Sequence, residues 1–574
     1  MSREFCQILV KYSCEVIYFM YIKRIKVDNF RGIKKMDWIL ENKLLCLIGS
    51  SDSTKTTILD AIEFALYPYW NLNITNTDFY ECNTENPILI QLTLGDLPEE
   101  FINENAYGLY IRKFVDDNSN DEPEEDDDIF LTIQLSISEF FEPEWKVITN
   151  RNMEKPISYK DRAKLSIARI GENIDKDFYI GRNSILKSYI DDTEELNSQL
   201  FDILQSVKRQ NIDTSSITSA FSNIKKVIDD YNIKLNSQLG LEIEMKNSDL
   251  NISNIGISDG LIPLNKKGTG TKRLLSSILN LEGDNNQNCI LIDEIEHGLE
   301  PYRIADLLYK LKKKKRQSVI TTHSPIPITE LDYHNLFVCR SENGETKCLK
   351  IPEEFQGLLR KFPYAFLSRK ILITEGATEW GIIRKFNEIW NDENFSLAYS
   401  SGIIVDGHGG SGTITKAKQF KKLGYDVAIF IDGDDSTTNE QANKLQDIKV
   451  FKLQDKYNTE KRILEDIKFD NLKRLIDIMV QIKDEILVER YMEEFFGIST
   501  LDINDVKDSF QEKDIKDKLY NILIKKNSKD KDIFKGTVYG KYLGELIHDL
   551  STTDLKNSEI ISLLNEVRIW CNGI

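Results

Sequence analysis

A phosphate-binding motif lies near the start of the chain. The segment GSSDSTKTT (49–57) follows the apolar run LLCLIGS (44–50) and precedes apolar residues at helical spacing. In this order of strand, loop and helix, backbone N–H groups face an anion, Lys55 reaches the β- and γ-phosphates, and Thr56 holds Mg²⁺. The usual motif has glycine before the lysine, and this chain has Thr54, which favours binding over rapid hydrolysis. Nucleotide contacts are predicted for Gly49, Ser53, Thr54, Lys55, Thr56 and Thr57.

Two later segments place polar residues at the ends of apolar strands. CILIDEIEHGLEP (289–301) ends in a pair of carboxylates, of which Asp293 can order a Mg²⁺ shell and Glu294 can polarise an attacking water. SVITTHSP (318–325) follows and ends in His323, which is placed to contact a γ-phosphate. These motifs together predict an ATPase with ATP and Mg²⁺ as cofactors.

A glycine-containing loop opens a helix between these motifs. NKKGTGTKRLL (265–275) contains Gly268 and Gly270 among basic residues, so its N–H groups and positive charge suit an anion. Taken alone, such a loop would be interpreted as an ordinary turn.

A second set of carboxylates lies well beyond the ATPase motifs. Glu375 follows the apolar run 371–374, and Asp432 and Asp434 follow the apolar run 427–431. Alternating strands and helices predict a parallel sheet, and the carboxyl ends of its strands share one edge. Crowded carboxylates repel each other unless a cation neutralises them, and hard oxygen ligands favour Mg²⁺ or Mn²⁺. The pattern therefore predicts a divalent-metal site.

Further acids extend this predicted site. Glu379 lies one helical turn after Glu375, and TEKRILEDI (459–467) supplies Glu465 and Asp466. Glu465 is the predicted additional ligand, and two metal positions would suit in-line displacement at a phosphodiester. The alternative for 459–467 is the solvated face of a charged helix.

The predicted fold is α/β in two parts, an ATPase head with a helical insertion and a parallel α/β domain. The second part is predicted from the alternation of strands and helices from residue 370 onward. The predicted boundaries are an N-terminal extension at 1–19, the ATPase at 20–350 with its insert at about 160–250, a linker at 351–369, a carboxylate-bearing core at 370–480, and a C-terminal helical part at 481–574.

The first half resembles the ATP-binding-cassette (ABC) ATPases of the SMC and RecF type. The resemblance is carried by the four motifs in order and by NFRG (29–32), and covers roughly residues 20–340. It implies a head-to-head dimer in which the Gly268–Gly270 loop is the signature that caps ATP bound to a second subunit.

The second half resembles the Toprim domain through Glu-Gly followed by Asp-x-Asp. ATPase and Toprim in one chain resemble the overcoming-lysogenization-defect (OLD) family of nucleases, as in Gabija-type and retron-associated defence nucleases. This implies an ATP-regulated, metal-dependent DNA endonuclease in which a lysine assists at the scissile phosphate. Lys541 in GKYLGELI (540–547) is in a comparable place, and Lys535 is the other candidate.

The resemblance also implies biological context. It implies a homodimer or higher homo-oligomer, antiviral defence, and a partner such as a retron reverse transcriptase with its RNA or a helicase-like protein. Two alternatives stay open: a DNA-binding ATPase whose Toprim part is a non-cleaving scaffold, and an enzyme that cleaves RNA or tRNA. A topoisomerase or primase is disfavoured, since no DNA-gate domain or zinc-ligand spacing accompanies the acids.

The composition of the chain limits which classes of protein it can belong to. The chain has 574 residues, 41% of them hydrophobic and 29% charged, which describes a globular protein of several domains. Its net charge of −18 excludes a uniformly basic surface, but local patches can still bind nucleic acid. Eight scattered cysteines without a C-x-x-C pair and the lack of long apolar runs predict a cytoplasmic protein without a membrane span. Much of the acidity lies in 116–128, which we interpret as a solvated loop.

Overall fold

The computed structural model describes most of the chain. The described residues are 19–103, 105–114, 127–151, 153–171, 174–179, 185–189, 215–231, 233, 235, 237–243, 255–283, 288–393, 395–526 and 534–572. They divide into two compact units, residues 1–360 and 361–574. Most of the N-terminal extension, the acidic segment and part of the helical insert, which were discussed above, lie outside the described residues.

The first unit contains sixteen described strands. They are β1 (Tyr21–Phe30), β2 (Ile33–Ile39), β3 (Leu44–Ile48), β4 (Ile88–Gly95), β5 (Arg112–Lys113), β6 (Ile129–Ile137), β7 (Pro143–Ile148), β8 (Glu154–Pro156), β9 (Ile167–Ile170), β10 (Leu239–Ile243), β11 (Ile255–Asp259), β12 (Ile262–Pro263), β13 (Cys289–Ile292), β14 (Gln317–Thr321), β15 (Leu336–Glu342) and β16 (Glu345–Lys350).

Eight described helices accompany these strands, the last of them ending at the boundary between the units. They are α1 (Lys55–Ala65), α2 (Glu99–Ile102), α3 (Tyr159–Lys164), α4 (Ser215–Asp230), α5 (Thr269–Glu282), α6 (Pro301–Lys313), α7 (Pro325–Glu330) and α8 (Gln356–Lys361).

One large mixed sheet brings the nucleotide motifs together. In its order β8-β7-β6-β4-β1-β2-β16-β15-β3-β14-β13-β9, strands β3, β14 and β13 are parallel neighbours. The three strands end in the phosphate loop, His323 and Asp293 respectively. Since the carboxyl ends of parallel strands share one edge, the topology gathers residues that are far apart in sequence.

The antiparallel part of this sheet matches the sequence patterns. Strands β1, β2, β4, β6 and β7 pair antiparallel, and α1 packs its apolar residues against this part. Strands β15 and β16 form a hairpin that turns through Asn343 and Gly344, both at positive φ. The predicted helical insert contains α4, together with a small sheet of β10, β11 and β12.

The second unit is built on four parallel strands. They are β17 (Lys370–Thr374), β18 (Gly402–Asp406), β19 (Asp426–Ile431) and β20 (Lys449–Lys452), in the order β18-β17-β19-β20. Thr374 lies beside Asp406 on one neighbour and Phe430 on the other. This register places Glu375 level with the end of β19, as the sequence predicts.

Nine described helices surround this sheet and extend the core. They are α9 (Ala377–Asp392), α10 (Gly410–Lys422), α11 (Ser436–Ala442), α12 (Thr459–Asp466), α13 (Leu472–Ile482), α14 (Glu485–Phe496), α15 (Glu512–Leu523), α16 (Thr537–Leu550) and α17 (Glu559–Asn572). The parallel sheet with flanking helices and the large mixed sheet confirm the α/β class.

Two glycines let α16 approach α9 closely. A Cβ added to Gly381 would lie 2.4 Å from the Thr537 carbonyl oxygen, and one added to Gly540 would lie 2.1 Å from the Thr378 carbonyl oxygen. Both distances are below van der Waals contact, so any side chain would push the helices apart. The glycine of the GKYLGELI motif is therefore a packing residue that fixes where α16 begins.

The segment 351–369, which the sequence predicts as a linker, has an ordered structure. It contains short helical turns, and Ile351, Phe355, Leu359, Ala365 and Phe366 are fully buried. The boundary between the two units falls within it, after residue 360.

Candidate active sites

The phosphate loop closes around Lys55. The lysine ammonium donates to the carbonyl oxygens of Gly49 at 3.2 Å and Ser50 at 2.8 Å, and to the Ser53 hydroxyl at 3.0 Å. Its side chain is buried, and this burial lowers its pKa from the ordinary value. Backbone and hydroxyl oxygens thus hold the ammonium at the start of α1, where the helix N-terminus also favours an anion.

Thr54 occupies the position where glycine is usual, and its backbone shows why glycine is usual there. Its φ is 60° and its ψ is 14°, which is the left-handed region. A β-branched residue is a genuine outlier in this region. The Thr54 hydroxyl hydrogen bonds to the Ser53 carbonyl at 2.7 Å and to the Thr346 hydroxyl at 3.1 Å. The departure in the motif is therefore accommodated at a cost in backbone strain.

Asp293 meets the phosphate loop across the sheet edge. The Thr56 hydroxyl lies 3.2 Å from Asp293 Oδ1, which also accepts a hydrogen bond from the Thr321 hydroxyl at 2.6 Å. Arg169 donates to Asp293 Oδ2 at 3.0 Å. The hydroxyl and carboxylate oxygens of Thr56 and Asp293 are the donors that Mg²⁺ prefers, so this pair fits the predicted metal contact.

Sequence reasoning missed Arg169 and the ion pairs that connect it through Asp60 to Arg31. Arg169 also contacts Asp60 at 3.0 Å, and Asp60 in turn pairs with Arg31 of the NFRG segment. Arg31 donates to Asp78 at 2.8 Å. No local motif marks Arg169, because only the pairing of β9 with β13 brings it to the site.

His323 and Glu294 flank Asp293 in different ways. His323 is held through its backbone N–H, which donates to Glu296, while the Thr322 hydroxyl donates to the same carboxylate at 2.7 Å. Burial and the nearby Lys55 lower the pKa of His323. Glu294 has φ 46°, its N–H donates to the Thr321 hydroxyl at 2.8 Å, and its side chain is half exposed. The second acid is therefore accessible, as an acid that polarises water must be.

The predicted signature loop starts α5. Gly268 precedes the helix, and a Cβ on Gly270 would lie 2.4 Å from the Gly298 carbonyl oxygen, so this glycine permits close contact with the segment after Asp293. Arg273 is buried one turn later and donates to the carbonyl oxygens of Gly171 and Asp293. Arg273 was also missed, and it holds the end of β13 in place.

In the second unit, carboxylates gather at the carboxyl edge of the sheet. Glu375 Oε2 accepts a hydrogen bond from the Asp432 N–H at 2.9 Å, and Asp432 Oδ1 accepts from the Thr459 N–H at 3.0 Å and hydroxyl at 2.9 Å. Glu379 and Glu460 are almost fully buried. We call Glu375, Glu379, Asp432 and Glu460 the acid cluster, which Asp434 borders from an exposed position.

The acid cluster is electrostatically strained. Burial, followed by repulsion from Glu379 and Asp434, raises the pKa of Glu375 to about 7, although the Asp432 N–H opposes this. Burial and the neighbouring Glu379 raise the pKa of Glu460 to about 7 as well. The pKa of Asp432 is also raised, by burial and then by Glu379, Glu460 and Glu375. Each carboxylate therefore disfavours ionisation of the others.

The structure places Glu465 outside the acid cluster and Glu460 within it. Glu465 is exposed near the end of α12, where its side chain hydrogen bonds to Tyr457. Glu460 lies at the start of α12, directly beside Thr459 and Asp432, and its Oε1 is buried without a hydrogen-bond partner. The signal that could have found it is its position after β20, a short strand that the sequence analysis did not predict.

Lys541 and Lys535, the two lysines that the sequence offered, lie in different surroundings. Lys541 lies on the exposed side of α16, where its ammonium pairs with Glu388 at 3.0 Å. Lys535 lines the cavity that Glu375, Glu379 and Asp432 also line, and its charge favours the ionised forms of Glu379 and Glu460. The helix geometry points one lysine away from the acids and leaves the other beside them.

The donor chemistry of the acid cluster fits a divalent cation, but the side chains are not a preformed shell. Among the residues that the structure describes, no three histidine, cysteine, aspartate or glutamate side chains are arranged as a bound metal ion requires. The oxygen-only donors and the unpartnered Oε1 of Glu460 nevertheless suit Mg²⁺ or Mn²⁺. Binding would require the side chains to converge.

One family comparison supports the reading of the first unit. Residues 44–326 match the sequence model of the family described as "AAA domain, putative AbiEii toxin, Type IV TA system". The matched range contains the phosphate loop, Asp293 and His323, so this part of the chain is an ATPase-type domain. The match covers just under half of the chain.

Solved structures show a limited likeness in fold. An SMC head bound to the C-terminal winged-helix domain of ScpA aligns with 16% identity and TM-score 0.38, covering 57% of this chain and 97% of that one. An SMC head with an extended coiled coil, bound to the C-terminal domain of ScpA from Pyrococcus furiosus, aligns with 13% identity and TM-score 0.38, covering 60% of this chain and 99% of that one. The recombination mediator protein RecF-ATPrS aligns with 15% identity and TM-score 0.33, covering 58% of this chain and 99% of that one. Scores this low carry no conclusion about function.

Two further comparisons returned nothing. No curated protein matches the chain. Within the described ranges, no helix has the length and apolar character needed to cross a membrane.

Proposed function

We propose that this protein is an ATP-regulated, divalent-metal-dependent endonuclease that cuts DNA. The observation that carries the proposal is the acid cluster, whose buried Glu460 oxygen has no partner while Lys535 lies beside it. Structural carboxylates are normally paired with cations or hydrogen-bond donors, because an unpaired buried charge is costly. A cluster with this many acids at the carboxyl edge of a parallel sheet is more readily explained by binding a cation.

The residues of the second unit would divide the work at a phosphodiester. Glu375, Glu379, Asp432 and Glu460 would hold Mg²⁺ or Mn²⁺, with Asp434 at the rim. A bound cation would supply a water of lowered pKa and offset the charge of the phosphate. The backbone N–H of Asp432 and the Thr459 hydroxyl fix two of the carboxylates. Lys535 would stabilise the charge that develops in the transition state.

The residues of the first unit would bind ATP and transmit its state. Lys55 and the N–H groups at the start of α1 would hold the phosphates, and Thr56 and Asp293 would hold Mg²⁺. Glu294 would polarise water, and His323 would contact the γ-phosphate in its neutral form, since its pKa is lowered. Following the family resemblance, ATP would join two heads through the Gly268–Gly270 loop and so regulate access to DNA.

The same resemblance supports the wider context of the proposal. The enzyme would act in the cytoplasm as a homo-oligomer in antiviral defence. A retron reverse transcriptase with its RNA, or a helicase-like protein, would be the partner.

Plasmid cleavage tests this proposal. Supercoiled plasmid is incubated with the full chain and Mg²⁺ or Mn²⁺, with and without ATP. We expect nicking or linearisation that Asp432→Asn abolishes and Asp426→Asn preserves. Asp426 is the matched control, because it lies exposed at the opposite end of the same strand. Lys55→Ala should remove the effect of ATP and leave metal-dependent cutting.

Two outcomes would replace the proposal. An intact plasmid under every condition, with ATP still hydrolysed, would favour a DNA-binding ATPase with a scaffold second unit. Cleavage of an RNA or tRNA substrate that Asp432→Asn abolishes, with DNA untouched, would keep the chemistry and change the substrate.

A further inference from the structure

An apolar cleft lies next to the acid cluster. It has a volume of about 320 Å³ and is lined by Phe362, Tyr364, Trp380, Ile404, His408 and Thr537, among others. Small-ligand sites begin at roughly this size. Tyr364 is 60% exposed, so its ring is accessible to a ligand. We call this feature the aromatic cleft.

The aromatic cleft is continuous with the cavity of the acid cluster. Asp406 and His408 line both, and Thr537 of the cleft follows Gly536 of the cavity. His408 is fixed at this border, because its Nδ1 lies 2.8 Å from Asp406 Oδ2 and its N–H donates to Asp406 Oδ1 at 2.8 Å. The cavity and the cleft therefore adjoin at Asp406 and His408, within reach of one bound molecule.

Aromatic rings line the cleft, and cations lie in it or beside it. The Phe362 and His408 rings lie 6.1 Å apart, and the Arg384 guanidinium lies 5.1 Å from the Trp380 ring. Lys361 lines the cleft, and its charge reaches Lys416, whose ammonium donates to the Gly407 carbonyl. Apolar ring faces flanked by cations match a nucleotide, whose base stacks while its phosphates attract positive charge.

We propose that the aromatic cleft holds an unpaired nucleobase of the DNA strand whose phosphate lies at the acid cluster. The inference rests on the proposed nuclease function. A base inside a duplex cannot present both faces to protein side chains, so it must be unpaired or turned out of the stack. The enzyme would then prefer single-stranded DNA or sites that open easily. A second copy of this chain fits less well, since the cleft opens into a charged cavity.

Binding of a strand with and without bases tests this inference. The probes are a fluorescent single-stranded thymidine oligonucleotide and an abasic strand of equal length, with Ca²⁺ present to limit cutting. We expect the wild-type chain to bind the thymidine strand about 10-fold more tightly, as stacking of one base predicts. The double variant Phe362→Ala, Tyr364→Ala should lose this discrimination, and Tyr364→Phe should retain it.

A matched control and two outcomes decide the interpretation. Tyr399→Ala removes a ring that is 74% exposed elsewhere in the second unit and should change nothing. Equal binding of both strands by the wild-type chain would overturn the inference. Unchanged discrimination in the double variant would also overturn it. If that variant lost self-association as well, the cleft would be assigned to a second copy of the chain.

Cleavage of the same thymidine strand separates this inference from the proposed function. If the wild-type chain with Mg²⁺ or Mn²⁺ cuts it no faster than a duplex, and cuts it equally well after the double substitution, only the inference fails. If the wild-type chain cuts no DNA at all, the proposed function fails, and the inference fails with it.

Discussion

The two candidate sites solve the problem of buried charge in opposite ways. In the first unit, Asp293 is contacted by Thr56, Thr321 and Arg169, and Lys55 is contacted by three oxygens. In the second unit, the acids raise each other's pKa, and Glu460 Oε1 has no partner. Charge is paired by protein groups at the first site, whereas at the second the acids repel each other and Lys535 offsets that repulsion only in part.

This difference indicates what each site responds to. A network whose charges are already paired keeps its geometry without a ligand, so nucleotide binding there depends on shape and on the strained loop. A cluster of repelling carboxylates is stabilised whenever a proton or a cation binds to it. We therefore expect the second site to depend more strongly on pH and on divalent cations than the first.

The sharpest test of the comparison is Glu460→Gln. If the acid cluster holds the catalytic cation, this change should reduce plasmid cleavage by about 100-fold or more, because ligands and their supports carry such effects. Glu465→Gln alters an exposed acid on the same helix and should leave cleavage near the wild-type rate. Equal loss of cleavage in both variants would contradict the assignment of Glu460, rather than Glu465, as the catalytic acid of α12.

Lys535→Ala should have the next largest effect. Removing a charge that stabilises a transition state costs on the order of 100-fold in rate. Lys541→Ala removes a lysine of the same region that pairs with Glu388 at the surface, and surface pairs contribute little. Initial cleavage rates at saturating Mg²⁺ would distinguish the two lysines, and a larger loss in Lys541→Ala would reverse our assignment.

Stability should fall as the pH rises through neutrality. The pKa values of Glu375 and Glu460 rise from an ordinary 4.5 to about 7, so the folded chain binds more protons than the unfolded chain between these values. Their contribution is complete below about pH 4.5 and is lost as pH increases through 7. Denaturant unfolding with EDTA should show a loss of roughly 2 kcal/mol from pH 5 to pH 8, allowing for coupling between the acids.

Two comparisons assign that pH dependence to the acid cluster. Glu460→Gln should flatten the decline, and added Mg²⁺ should do the same in the wild-type chain. A decline that neither change affects would have to arise elsewhere in this acidic protein.

Thr54→Gly should produce the smallest effect, at the balanced site. Glycine adopts a φ of 60° without strain, whereas alanine in this conformation keeps the Cβ penalty. Thr54→Gly should therefore be about 1 kcal/mol more stable than Thr54→Ala, and both lose the same hydroxyl contacts. Thermal unfolding of the two variants measures the difference, and identical values would show that the loop relaxes around alanine.

The sequence predicted the parts of each site that follow buried strands. Lys55, Asp293, Glu375 and Asp432 each lie at the end of an apolar run, and periodicity marks such runs. The parallel order of the strands then brings these residues together. The α/β class followed from the same signal.

The remaining residues depend on features that periodicity does not reveal. Arg169 reaches the ATPase site through a pairing between strands more than a hundred residues apart. Glu460 follows β20, which is short and half polar, so its strand was not recognised. Lys535 and Lys541 lie on either side of Gly536 and Gly540, and only the close helix contact decides which one faces the acids.

The contact between Gly381 and Gly540 can form only late in synthesis, because the two glycines are far apart in the chain. The acids of the cluster are complete once Glu460 has been translated, but Lys535 comes about 75 residues later and is positioned only when α16 docks on α9. A growing chain therefore has its carboxylates before its lysine. A premature stop within that interval would release a protein with the ATP motifs and all four acids but no Lys535, and under the proposed function it would cut DNA on the order of 100-fold more slowly than the full chain.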